Sequence, residues 1–222
     1  RAPGETVAGG PYAIGQGTLA NPNYAISFAG DSFAITPAPL SVTPDNLAKV
    51  YGTADPAFSF AATGLKLGDT AAAVLSGSLA RVAGESVAGG PYAITAGTLA
   101  ANSNYALVVS SGAALSITPA TLVASFAGPI SRVYDGTTAA APGALLLAGV
   151  VGSDRVTATP ASAAFDTRNV GSGKLVTASG LLLGGADASN YQLAASSISA
   201  AIGTITPAPI SVSLVGEVAR PY

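Results

Sequence analysis

The chain has 222 residues, 49% of them hydrophobic but only 6% aromatic and 9% charged, where roughly 25% charged is ordinary for a soluble domain. A net charge of −2 and only nine scattered Lys and Arg exclude electrostatic capture of nucleic acid or of an anionic membrane surface. With neither Cys nor His, the chain has no disulfide, no thiolate metal site and neither the commonest general base nor the commonest metal ligand.

The 27 Gly and 15 Pro mark frequent turns, and apolar content carried by Ala, Val, Leu and Ile implies small cores. A mainly β chain is expected, built as tandem small β-rich modules, β-grasp-like or sandwich-like, end to end. The absence of Cys, Met, Trp and His suits exposed, oxidising surroundings, so an extracellular or bacterial cell-surface location is expected.

In chain order, Arg1 to Glu5 has no apolar signal-peptide core, and any export signal is expected outside this fragment. Val7-Ala8-Gly9-Gly10-Pro11-Tyr12-Ala13-Ile14 leads to Asn23-Tyr24 and then to Ile35-Thr36-Pro37-Ala38. Leu40 to Thr43 and Phe58 to Phe60 alternate apolar and polar residues and are expected as strands. Between them lies Lys49-Val50-Tyr51-Gly52-Thr53. Gly68 to Leu75 is the one helical candidate, with Asp69 as N-cap and at most a short helix near 69–75. Arg81 to Ile94 repeats the opening of the chain and ends in Val87-Ala88-Gly89-Gly90-Pro91-Tyr92-Ala93-Ile94. Tyr105 to Val109 and Ala114 to Ile117 are expected to form a hairpin around Ser110 to Gly112.

Farther along, Arg132-Val133-Tyr134-Asp135-Gly136-Thr137 restates the Lys49 segment. The longest apolar stretch, Ala139 to Val151, is broken by Pro142, Gly143 and Gly149 and falls short of the ~20 residues needed to cross a bilayer. No membrane insertion is expected. Gly152 to Pro160 reads as strand, and Val170 to Lys174 as a hairpin loop, since it lacks phosphate-loop spacing. Asn190-Tyr191, Ile205-Thr206-Pro207-Ala208 and Arg220-Pro221-Tyr222 repeat earlier landmarks. These recurrences place the modules at 1–36 (a back half), 37–118 (complete), 119–206 (complete) and 207–222 (the start of a further repeat).

The recurring residues read as structural. In Tyr51-Gly52 and Tyr134-Asp135-Gly136, Gly supplies a turn, Asp bonds its own turn backbone and the ring covers a small core near a module joint. Tyr24, Tyr105 and Tyr191 are expected on strand faces. Pro37, Pro119 and Pro207 restrict the joints and are expected to hold consecutive modules semi-rigidly. Asp45, Asp55, Asp69, Asp135, Asp154, Asp166 and Asp187 are mostly single, with no D-x-D-x-D-G loop, so turn and cap roles outweigh calcium at the module joints. No catalytic residue and no cofactor is expected. A Lys-Asn cross-link would require Lys49, Lys66 or Lys174 buried beside an Asn and an acid. Tyr12 and Tyr92, if exposed, are the candidate sugar contacts.

Module 37–118, with Lys49-Val50-Tyr51-Gly52, Gly68-Asp69-Thr70, Gly90-Pro91-Tyr92-Ala93-Ile94 and Asn104-Tyr105-Ala106-Leu107, resembles the MBG domain of the YGX type. Module 119–206, with Val133-Tyr134-Asp135-Gly136-Thr137-Thr138 and Asn190-Tyr191-Gln192-Leu193, resembles its companion, the YDG domain. The resemblance implies a stalk or filament-forming segment of a long bacterial surface protein similar to filamentous haemagglutinins and other adhesins. Partners are then neighbouring repeats of the same chain, like chains in a filament, and a host glycan or surface receptor. The alternative function is a glycan- or mucin-binding module acting through multivalent repeats.

Overall fold

The computed structural model describes residues 1–216 and 219–222, so the fragment 207–222 lies partly outside the described residues. The fold is mainly β and divides into two compact units, Arg1–Thr118 and Pro119–Tyr222.

Unit 1 opens with a two-stranded antiparallel pair, β1 (Tyr12–Ile14) and β2 (Asp31–Phe33). Nine strands follow: β3 (Ala38–Pro44), β4 (Leu47–Val50), β5 (Phe60–Thr63), β6 (Leu75–Ser76), β7 (Ala80–Arg81), β8 (Tyr92–Thr95), β9 (Ala100–Ala101), β10 (Tyr105–Val109) and β11 (Ala114–Thr118). A helix of one turn, α1 (Ala71–Val74), precedes β6. The strands form sheets β10-β3-β5, β4-β11-β8-β7 and β6-β9. Val42 from the first sheet and Ile94 from the second share one core with Leu79 and Leu99, so these sheets face each other. Leu40, Val74 and Tyr105 form the neighbouring core cluster.

Unit 2 repeats this design with β12 (Ala120–Phe126), β13 (Ile130–Val133), β14 (Leu145–Ala148), β15 (Thr157–Thr159), β16 (Ser162–Phe165), β17 (Gly171–Ser179), β18 (Leu182–Gly184), β19 (Tyr191–Leu193) and β20 (Ser197–Thr206). Its sheets run β14-β12-β19, β13-β20-β17-β16 and β15-β18, strand for strand the order of unit 1. Parallel pairs β3–β10 and β4–β11 recur as β12–β19 and β13–β20. Even the first 36 residues keep the register: Tyr12 pairs with Phe33 as Tyr92 pairs with Leu115.

Several expectations are corrected. Tyr105–Val109 and Ala114–Thr118 are strands but no hairpin: β10 pairs with β3, while β11 lies in the other sheet between β4 and β8. Each pairs with a front-half strand, β10 with β3 and β11 with β4, instead of with its neighbour in sequence. Thr70, not Asp69, caps the helix, its Oγ1 accepting from Ala73 N–H at 3.3 Å. Within Gly152 to Pro160 only Thr157–Thr159 is strand, and the strand near Phe58 begins at Phe60. Val170 to Lys174 is no hairpin loop, because β17 starts at Gly171 and its register shifts between Ser172 and Lys174, a bulge. Tyr24 is 75% exposed and lies off any strand. Its counterparts Tyr105 and Tyr191 lead strands that exist by pairing with β3 and β12, and the first 36 residues supply no such partner.

Candidate functional site

The most regular constellation joins two sequence landmarks. Tyr105, the first residue of β10 and buried, donates its hydroxyl to Asp69 Oδ2 at 2.7 Å and accepts from Lys66 N–H at 2.9 Å. Tyr191, first in β19, does the same with Asp154 Oδ2 at 2.5 Å and Val151 N–H at 2.9 Å. Each phenol thus pins the loop that follows the third strand of its module. For Tyr105 the Lys66 N–H favours the phenolate, but burial and the Asp69 carboxylate prevail and raise its pKa. Burial first, and then Asp154, raise that of Tyr191.

A second constellation closes the four-stranded sheet of unit 1. Lys49 Nζ, with a side chain only 5% exposed, meets Asp55 Oδ1 at 2.7 Å and Glu85 Oε2 at 2.5 Å. Arg81 binds the same two acids, Asp55 through Nε at 2.6 Å, and lies over the Tyr92 ring at 5.2 Å. The Arg81 hydrogen bond foremost, then that of Lys49, holds Asp55 down to about 2. Lys49 does the same for Glu85, whose pKa is also lowered. Burial opposes the Lys49 charge, yet its bonds to Asp55 and Glu85 outweigh it and raise the pKa. All four groups are therefore ionised over the neutral range. The Lys49 amine meets acids rather than an asparagine, and Lys174 Nζ bonds Thr167 Oγ1 at 2.5 Å beside Asp166 at 3.4 Å.

Tyr12 and Tyr92, the candidate sugar contacts, are both buried to 6% exposure. The Tyr92 hydroxyl donates to Ser86 O at 2.7 Å, and a Cβ on Gly84 would fall 2.1 Å from its Cε1. Tyr12 repeats this with Thr6 O and Gly4, under an Arg1 guanidinium 5.3 Å from the ring. Neither ring is an open platform. The flanking glycines, present in both copies, carry the sequence signal of this burial: the ring needs space that any Cβ would fill.

Gly52 and Gly136 have φ of 81° and 79°, as their turns require. Asp135 Oδ1 accepts from Thr137 N–H and Oγ1, both at 2.9 Å, which lowers its pKa, and Arg132 binds Asp135 Oδ2 at 2.8 Å. Tyr134 is 39% exposed, so its ring is not core cover, while Tyr51 is half-buried and donates N–H to Thr118 O at 2.9 Å. Pro37 and Pro119 immediately precede β3 and β12, and Pro207 follows β20. Among the described residues no group of three or more acids could hold a metal ion, and no helix is long and apolar enough to cross a membrane.

Register, landmarks and buried pairs describe one module type in two versions. Residues 40–116 match the family model described as MBG domain (YGX type), and residues 118–200 match that described as YDG domain. The chain carries an MBG domain at residues 40–116 and a YDG domain at residues 118–200 in tandem. Both are non-catalytic repeat families. No curated protein and no solved structure is matched. The Tyr105–Asp69 couple of the MBG domain and the Tyr191–Asp154 couple of the YDG domain are therefore one device, kept while the charged cluster around Lys49 is rebuilt around Arg132 and Lys174.

Proposed function

We propose that this chain is a structural segment, a stalk or filament-forming portion of a long bacterial secreted or cell-surface adhesin, and that it catalyses no reaction. The observation that supports this is the use made of the recurring residues. Tyr105, Tyr191, Asp69 and Asp154 pin loops, Lys49 and Arg81 close a sheet edge, and Gly52 and Gly136 make turns. The recurring pair Tyr12 and Tyr92, the candidate sugar contacts, is buried, which supports a structural role over a glycan-binding one. Extracellular exposure, neighbouring repeats as partners and like chains in a filament belong to the same reading.

The test is deletion of residues 37–206 from the parent surface protein, followed by electron microscopy of the fibres and an adhesion assay. Shorter fibres with the intrinsic receptor binding unchanged are the expected result. Fibres of unchanged length with receptor binding lost would replace this reading with the glycan-binding one.

A further inference from the structure

Each module continues into the rest of the chain through its first and last strands. Tension along the chain therefore reaches the MBG domain at the N-terminal end of β3 and leaves it at the C-terminal end of β11. Those two strands lie in different sheets, and each is held by a parallel partner. β3 pairs with β10 from Ala38 opposite Tyr105 to Val42 opposite Val109. Flanking bonds, Ala38 N–H to Asn104 O and Ser110 N–H to Val42 O, both 2.9 Å, prolong this ladder at its two ends. β11 pairs with β4 from Leu115 opposite Leu47 to Thr118 opposite Val50, prolonged by Tyr51 N–H to Thr118 O at 2.9 Å.

Connectivity then fixes the direction of load. β3 is drawn toward its N-terminal end, whereas β10, which continues into β11, is drawn toward its C-terminal end. By the same logic β11 is drawn toward its C-terminal end and β4, which follows β3, toward its N-terminal end. Two parallel strands drawn toward opposite ends are sheared, so all the bonds of a ladder carry the load together. Neighbouring strands pulled apart from one end would instead release their bonds one at a time. The YDG domain repeats the arrangement, with β12 on β19 (Ala120 opposite Tyr191 to Leu122 opposite Leu193) and β20 on β13 (Gly203 opposite Ile130 to Thr206 opposite Val133). Ala194 N–H to Leu122 O at 2.9 Å and Tyr134 N–H to Thr206 O at 2.8 Å prolong these ladders. Leu40, Val42, Leu115, Leu122 and Ile205 on the loaded strands are almost wholly buried, which keeps water from replacing the strained bonds.

We propose that these paired parallel ladders are mechanical clamps, and that each module acts to resist tension along its own chain. The proposal rests on the reading of the chain as a structural segment. A spacer whose modules yield easily would still be a spacer, so failure of the test below removes the clamp and leaves that reading standing.

The test is single-molecule pulling on the full 222-residue chain, which has no Cys, so that introduced cysteines are unique anchors. Pulled end to end, the chain is expected to show two events, each releasing about 300 Å as one module extends. The MBG event should need a force several-fold higher than the same domain pulled through T36C and S103C, which load β3 and β10 from the same end. Forced unfolding reports the barrier rather than the equilibrium, so this comparison is insensitive to overall stability. V108P supplies an internal control. Val108 is 60% exposed, and the Ser110 and Ala38 bonds set a ladder phase that turns its N–H toward β3. V108P should lower the MBG event, or abolish it if the domain unfolds, and leave the YDG event unchanged. Equal forces in the two pulling geometries, or an MBG event that V108P leaves at the parent force, would overturn the proposal.

Discussion

The ring of Phe165 lies against Gly203, where a Cβ would come within 2.7 Å of ring atom Cε1 and 2.8 Å of Val176. The register aligns Gly203 with Leu115 and Phe165 with Arg81 of the MBG domain. Bulk has moved from one strand to another. In the MBG domain Leu115 fills the core and Arg81 reaches the acids. In the YDG domain Phe165 fills it, and Arg132 lies over that ring at 5.4 Å. Two sequence subtypes thus keep one fold by complementary exchange.

Gly203→Ala is expected to destabilise the YDG domain by about 1–3 kcal/mol through overpacking. Urea unfolding measures it. Combining it with Phe165→Leu should recover part of the loss, because the smaller side chain vacates the space. Full additivity of the two changes would refute the exchange.

Tyr191→Phe removes a hydroxyl that serves both Asp154 and Val151 N–H, and should cost about 1–3 kcal/mol by leaving a partly buried N–H without that acceptor. Tyr105→Phe should act alike in the MBG domain. A double-mutant cycle of Tyr191→Phe with Asp154→Asn is expected to be non-additive. Unchanged melting of both phenylalanine variants would remove the loop-pinning role.

The pH dependence follows from the direction of each shift. Asp55 is held down to about 2 from an ordinary 3.8, and Glu85 is lowered too, so their stabilisation is complete above pH ~5 and is lost as pH falls toward 2. Lys49, Tyr105 and Tyr191 are raised, so theirs is complete below pH ~9 and is lost as pH climbs past their folded values. A melting temperature flat between pH ~5 and 9 and falling on both sides is expected. Asp55→Asn should flatten the acid limb, and an acid limb identical to the parent's would count against the ion cluster.

Gly84→Ala places a Cβ 2.1 Å from the Tyr92 ring at a φ of 144°, so about 2–4 kcal/mol of stability should be lost. Differential scanning calorimetry resolves it. A neutral result would mean that the ring is not fixed where it is described.

Recurrence made much of this legible. Asp69 and Tyr105 stand 36 residues apart and Asp154 and Tyr191 37 apart; these recurring landmarks were legible, but their contact was not, since Asp69 read as a helix cap and the tyrosines as strand-face residues. Strand partners were not legible. Alternation in Ala114 to Ile117 shows a strand with one buried face, yet its partner Leu47 lies far upstream, and only the packed core selects it over the nearer Val109. Asp55 was equally hidden. It meets Lys49 and Arg81 across the sheet edge, at separations that match no local motif.

Fold, shared register and load path all follow from front-half strands pairing in parallel with back-half strands in both modules. Nuclear Overhauser contacts between backbone protons test this directly. Cross-strand contacts joining Leu47 to Leu115 and Ile130 to Gly203 are expected, with none between Val109 and Ala114 as paired residues. A hairpin ladder between residues 105–109 and 114–117, in place of those contacts, would contradict it.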